Sequence, residues 1–149
     1  QIDFKKIIQE NIQLHKMQNP AIRFDVAVVQ DVAFVNDAFR TTVIFDNLIS
    51  NALKYQKPEE KNQKICIDVR VTTEHATINV EDNGIGISEK DLTNIFTMFF
   101  RSTSNSTGLG IGLFIVQEAV SKLHGTISVQ SDLGKGTKFT LVVPNKSVA

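Results

Sequence analysis

Two neighbouring runs of alternating residues constrain this chain most. Ile65, Ile67, Val69 and Val71 alternate with Cys66, Asp68 and Arg70. After a turn at Glu74 and His75 the pattern resumes, with Ala76, Ile78 and Val80 set against Thr77, Asn79 and Glu81. A period of two sends every apolar side chain of such a run to one face. Two runs this close predict an antiparallel pair with one wet face and one face that must be covered. The covering elements are legible on both sides. Residues 4–18 read as a helix, with Phe4, Ile7, Ile8, Ile12 and Leu14 at roughly helical spacing and Asn19-Pro20 as the stop. Residues 21–29 read as a strand in which Ile22, Phe24, Val26 and Val28 alternate with Arg23, Asp25 and Ala27. Asp37 is placed to cap a helix running from Ala38 to about Tyr55. Ser88, with Asp91 three positions on, opens a short helix in the manner of a capping box. A further helix follows Gly112 and ends near His124-Gly125, where the glycine suits a C-cap. Residues 126–131 and 137–143 form two last strands. Five strands, mostly hairpin-linked, with three main helices on one face of a mixed sheet make the class α+β.

Composition narrows function mainly by exclusion. Lys plus Arg and Asp plus Glu number 16 each, so the balance carries no footprint for nucleic acid or an anionic membrane. The single cysteine excludes an internal disulfide framework and a cysteine-cluster metal site. No apolar run approaches the roughly 18 residues of a membrane span. A cytoplasmic, reducing setting is therefore expected, without membrane contact by this domain. The first residue is Gln1 and not methionine, which is expected of a fragment. The length of 149 residues suits one domain, taken as 1–149.

Three clusters carry chemistry. Asn47 and Asn51 lie four apart on the second helix, so both amides project from one face, with Lys54 close to it. Asn oxygens are hard ligands suited to Mg²⁺, and a Lys ammonium pairs with phosphate as a point charge. A solvated polar face would also use these residues, but Asn is a poor helix former inside an apolar run. Asp82 continues the parity of Ala76, Ile78 and Val80 and so points inward at the end of its strand. A buried carboxylate needs partners, and an acceptor at a pocket floor suits an exocyclic amino group such as that of adenine. Gly84 and Gly86 after it would let backbone approach a flat ligand, although an Asp-Asn-Gly turn needs no ligand. Gly108, Gly110 and Gly112 lead into a helix whose free N–H groups and dipole suit a phosphate. The spacing is neither a dinucleotide-binding fingerprint nor a P-loop.

Taken together these clusters resemble the ATP-binding catalytic domain of bacterial sensor histidine kinases. More broadly they resemble the ATPase superfamily of DNA gyrase B, MutL and heat-shock chaperones. The segment 45–55 looks like the N box, 82–87 the first glycine box, 95–101 the F box and 107–113 the second glycine box. Segments 124–127 and 134–139 resemble the closing strands. The resemblance implies a two-layer α/β sandwich of the Bergerat type. It implies that Asn47 and Asn51 hold Mg²⁺, that Lys54 contacts phosphate and that Tyr55 packs by the base. Asp82 would receive the adenine amino group with Thr137 nearby. Segment 101–107 would be the lid, with Phe99 and Phe100 at its base. Gly108, Leu109, Gly110 and Gly112 would cradle ATP phosphates, and Asn47, Asn51, Lys54 and Arg101 would serve phosphoryl transfer. The implied acceptor is a histidine on a separate dimerisation domain, with a response regulator downstream and a parent that can be membrane-anchored.

His15, with Pro20 five residues on, mimics that acceptor. Lys16 stands where the family has an acid, and the segment lies where the family has its own first helix, so His15 is read as a surface histidine. His75 and His124 are assigned no chemistry, and Cys66 lies on the wet face. An ATP-hydrolysing relative would carry a glutamate at position 47 as general base, and an amide cannot accept that proton. A nucleotide-binding module without catalysis is the remaining alternative.

Overall fold

The alternating pair forms the centre of the sheet. A computed structural model describes residues 1–100 and 111–146. In it β2 (Lys64–Val71) and β3 (His75–Asp82) pair antiparallel, with Ile67 opposite Val80 and Ile65 opposite Asp82. Beyond β3 lie β5 (Gly136–Pro144) and then β4 (Thr126–Asp132), both pairings antiparallel. On the other side β1 (Arg23–Val29) pairs parallel to β2, giving the order β1-β2-β3-β5-β4. That pair is linked by a helix instead of a hairpin, which makes the sheet mixed. The α+β class and the mainly antiparallel five-stranded sheet expected from the sequence are thus borne out.

Helices α1 (Phe4–Lys16), α2 (Ala38–Lys54) and α4 (Gly112–Lys122) cover one face. The strands alternate accordingly, with Ile65, Ile67, Val69, Ile78, Val80, Phe139 and Leu141 buried beneath Ile44, Phe45, Leu48, Val116 and Val120. Phe4 anchors α1, its ring 5.0 Å from Phe34 and 6.2 Å from Phe45. Each such buried aromatic stabilises by about 2–3 kcal/mol through area removed from water. Leu14, read with the spaced apolar positions of α1, is 70% exposed, because two residues past Ile12 is about 200° round the helix and away from the sheet. Val26 shares the core parity yet is 40% exposed, because β1 has a neighbour on one side only.

The caps follow the sequence. Asp37 accepts from the Arg40 backbone N–H at 3.0 Å, and Asp3 accepts likewise from Lys6. The Arg40 N–H, and then its guanidinium at 2.6 Å, hold the Asp37 carboxyl below its ordinary value. Ser88 accepts from the Asp91 N–H and opens α3 (Glu89–Leu92). No helix among the described residues is long and apolar enough to cross a membrane.

The end of α4 differs from the sequence reading. Gly125 N–H returns to the Val120 carbonyl and His124 N–H to Ser121, a Schellman closure. The left-handed residue of that closure is His124, at φ 61°, and not the glycine. Gly125 is needed for another reason: a Cβ there would press on the Val142 carbonyl of β5. His124→Gly should therefore stabilise the protein by about 1 kcal/mol, since a side chain at positive φ is strained. Urea unfolding measures it, and an unchanged or lower midpoint would refute the assignment.

Candidate functional site

Asp82 ends β3 on the inward parity, as the alternation required, and is 9% exposed. Thr137 of β5 is its register partner and is buried beside it. The Asp82 carboxylate accepts from Gly84 N–H at 2.9 Å. Burial pushes this carboxyl up to about 6, against the opposing pull of the Gly84 and Thr137 backbone N–H groups. A carboxylate has about four lone-pair sites, so beyond these backbone bonds Asp82 keeps acceptor capacity at the pocket floor.

The opposite wall is α2. Asn47 donates its amide N–H to the Val43 carbonyl at 2.8 Å, which fixes which end of the amide is free. Its Oδ1 faces the start of α4, where a Cβ on Gly112 would sit 3.3 Å from it. Asn51, one turn on, lines the same cavity, as do Lys54 and Tyr55. The N-cap of α4, Ile111, forms no side-chain capping bond, and Gly112 and Leu113 face the cavity. A helix start of this kind leaves backbone donors for an anion.

Of the residues expected at the site, Asn47, Asn51, Lys54, Tyr55, Asp82, Gly86, Gly112 and Thr137 meet around this one cavity. Gly84 and Phe99 do not line it. Phe99 takes a left-handed backbone, φ 67°, and its side chain is 64% exposed, while Phe100 lines the cavity. Arg101, Gly108, Leu109 and Gly110, with the expected lid 101–107, lie outside the described residues.

The role expected for the first two glycines is corrected. A Cβ on Gly84 would overlap the Tyr55 carbonyl, which accepts from Ile85 N–H at 2.9 Å. Gly86, at φ 73°, leaves room for the Asp132 carbonyl at the end of β4, where the chain turns toward β5. Both admit the chain's own backbone, fastening the Asp82 turn to α2 and to the β4–β5 turn. Ser50, Ile87, Ile95 and Leu113, which lie within the resembling segments but carry no individual role in the sequence reading, also line the cavity. The apolar three lie in segments without the strand periodicity that exposed Asp82.

His15 is not a free surface residue. Its side chain is 16% exposed and its Nε2 lies 2.8 Å from Asp46. Asp46 therefore faces α1 and not the cavity, as its position next to Asn47 on the helix required. Cys66 is a free thiol, which burial pushes above its ordinary value.

Residues 36–147 match the family described as histidine kinase-, DNA gyrase B-, and HSP90-like ATPase. The chain is 36% identical over 132 residues to the sensor protein RprX of Bacteroides fragilis, covering 85% of this chain and 25% of that protein. It is 32% identical over 148 residues to the sensor protein kinase GraS of Staphylococcus aureus, with 96% and 42% covered. To the sensor histidine kinase WalK of Bacillus subtilis it is 36% identical over 154 residues, with 93% and 25% covered. The chain thus spans only a quarter to about two fifths of these curated relatives. Among solved structures, a mycobacterial sensor histidine kinase, MprB, superposes with a TM-score of 0.84 at 25% identity, covering 97% of both chains. Full-length ShkA in complex with AMPPNP has the same fold, with a TM-score of 0.82 at 21% identity over 99% of this chain and 31% of that one.

Proposed function

The chain belongs to the histidine kinase-, DNA gyrase B- and HSP90-like ATPases, and from that premise we propose that residues 1–149 act as one catalytic module of a sensor histidine kinase. It binds Mg-ATP and passes the γ-phosphoryl group to a histidine on a separate dimerisation domain, from which a response regulator takes it. The observation that carries this reading is one cavity holding a buried acceptor, two helical amides and an uncapped helix start.

Asp82 accepts a hydrogen bond from the exocyclic amino group of the base, and Tyr55 packs beside it. Lys54 and the first N–H groups of α4 receive phosphate oxygens. Asn47 and Asn51 fit a metal: the Asn47 amide nitrogen is committed to Val43, so its oxygen is the end left to ligate. Mg²⁺ held there would neutralise charge on the phosphates during transfer. Transfer is favoured over hydrolysis by a specific feature. Among the described residues, Asp82 is the only acid lining the cavity, so no carboxylate stands at the phosphate end to activate water. A substrate found in the cell interior puts the module in the cytoplasm.

Calorimetric titration with a non-hydrolysable ATP analogue tests the reading. Binding should weaken about tenfold or more when Mg²⁺ is chelated or when Asn51 is replaced by Ala, the loss of roughly one charge-assisted contact. The isolated chain should incorporate no label from radioactive ATP, and adding the parent's dimerisation domain should produce acid-labile phosphohistidine. Absent binding, or label on His15, would overturn it.

A further inference from the structure

Ser131 stands in a row with Thr137 and Asp82 across three adjacent strands, β4, β5 and β3. It does not line the cavity, yet its hydroxyl is the most connected in the region. Ser131 Oγ accepts from the Ile87 N–H at 2.7 Å. It donates to the Gly136 carbonyl at 2.9 Å. It also lies 2.9 Å from Thr137 Oγ1. Hydrogen counting settles the direction of that third contact. A serine hydroxyl has one proton, and a carbonyl can only accept it. With that proton on Gly136, Thr137 must be the donor to Ser131. The Thr137 oxygen then has only lone pairs left to present to the cavity.

The geometry points to Ser131 as a specificity-determining positioning residue: it polarises Thr137 so that the cavity floor, Thr137 beside Asp82, presents acceptors only and selects 6-amino over 6-oxo purine nucleotides. This rests on the nucleotide-binding reading above. An amino group supplies donors to two acceptors, whereas a carbonyl at the same place would face lone pairs and leave them unpaired. Without Ser131, the Thr137 hydroxyl is free to rotate and donate, and a 6-oxo base becomes tolerable. Ile87, whose N–H also ends on Ser131, lines the cavity, so the same hydroxyl ties the wall to the floor.

The test is calorimetric titration of the full chain with adenosine and inosine triphosphates in Mg²⁺. The intact protein should prefer adenosine by at least about 100-fold, because a 6-oxo base would leave buried acceptors unpaired. Ser131→Ala should narrow that preference at least about tenfold, mainly by tighter inosine binding. Thr137→Ala, which leaves the other two bonds of Ser131 intact, should narrow it similarly and keeps the test available if Ser131→Ala folds poorly. The double variant should narrow it no further than either single, because both act through one hydroxyl. Equal weakening of both nucleotides by Ser131→Ala, or additive effects in the double, would reduce Ser131 to scaffolding and overturn the proposal. So would an intact protein that binds both nucleotides equally. An intact protein that binds neither removes the nucleotide reading itself.

Discussion

Asp82→Asn should abolish measurable nucleotide binding and, at pH 8, make the protein more stable. The binding loss follows from hydrogen-bond polarity. With its oxygen kept toward Gly84, the new amide turns an N–H donor toward the donor group of the base. Losing a charge-assisted bond of about 2 kcal/mol and gaining a donor–donor clash gives a drop of at least about 100-fold. The stability gain follows from linkage. Burial raises the Asp82 pKa from 3.8 to about 6, so the folded state binds this proton more tightly than the unfolded chain. Stability from this group is therefore present at low pH and is lost as pH rises through the interval between those two values. Above it, the ionised carboxylate costs the fold on the order of 3 kcal/mol, which Asn does not incur. Urea midpoints of the two proteins should differ at pH 8 and converge near pH 4. Nucleotide affinity of the intact protein should rise with pH through about 6, since the carboxylate is the better acceptor. A stability difference that does not change with pH, or a variant that still binds, would refute this account.

Gly136→Ala should be among the most damaging of small substitutions. Gly136 sits at φ 131°, a conformation L side chains rarely adopt. A Cβ there would overlap the Asp82 carbonyl across the β3–β5 junction. Backbone would have to move at the point where Asp82 and Thr137 are paired. The cost should be at least about 3 kcal/mol, with nucleotide binding lost alongside. Gly134, two residues earlier, supplies the control. It also has positive φ, 85°, but nothing lies within 4 Å of a Cβ built on it. Gly134→Ala should cost only about 1 kcal/mol, the backbone strain alone. Urea unfolding of the pair measures the difference, and equal costs would show that close approach to Asp82 is not what Gly136 provides.

Strand parity was the most productive signal in this chain. It put Asp82 at the floor of the site because alternation is a covalent property of an extended backbone. The same parity, carried along Ile127 and Val129, reaches Ser131 and would have brought it into the site as well. Glycines were harder. Gly84 and Gly86 suggest a ligand when read locally, yet each makes room for a carbonyl 29 and 46 residues away in sequence, Tyr55 and Asp132. His124 went unread for a related reason, since nothing beside it in sequence announces that β5 needs the smaller residue at Gly125.

The sequence by itself determined the elements, their buried faces, the family, and the set of amides and carboxylate that meets in one cavity. Those properties repeat at intervals of two or four residues, so the chain carries them before it folds. Only the tertiary structure decided the parallel pairing of β1, which glycines admit backbone, which end of the Asn47 amide is free, and which way the Thr137 proton points. Each of those depends on a hydrogen-bond partner or a steric neighbour brought close by packing. A donor's direction is set by what it meets, and what it meets is set by the fold.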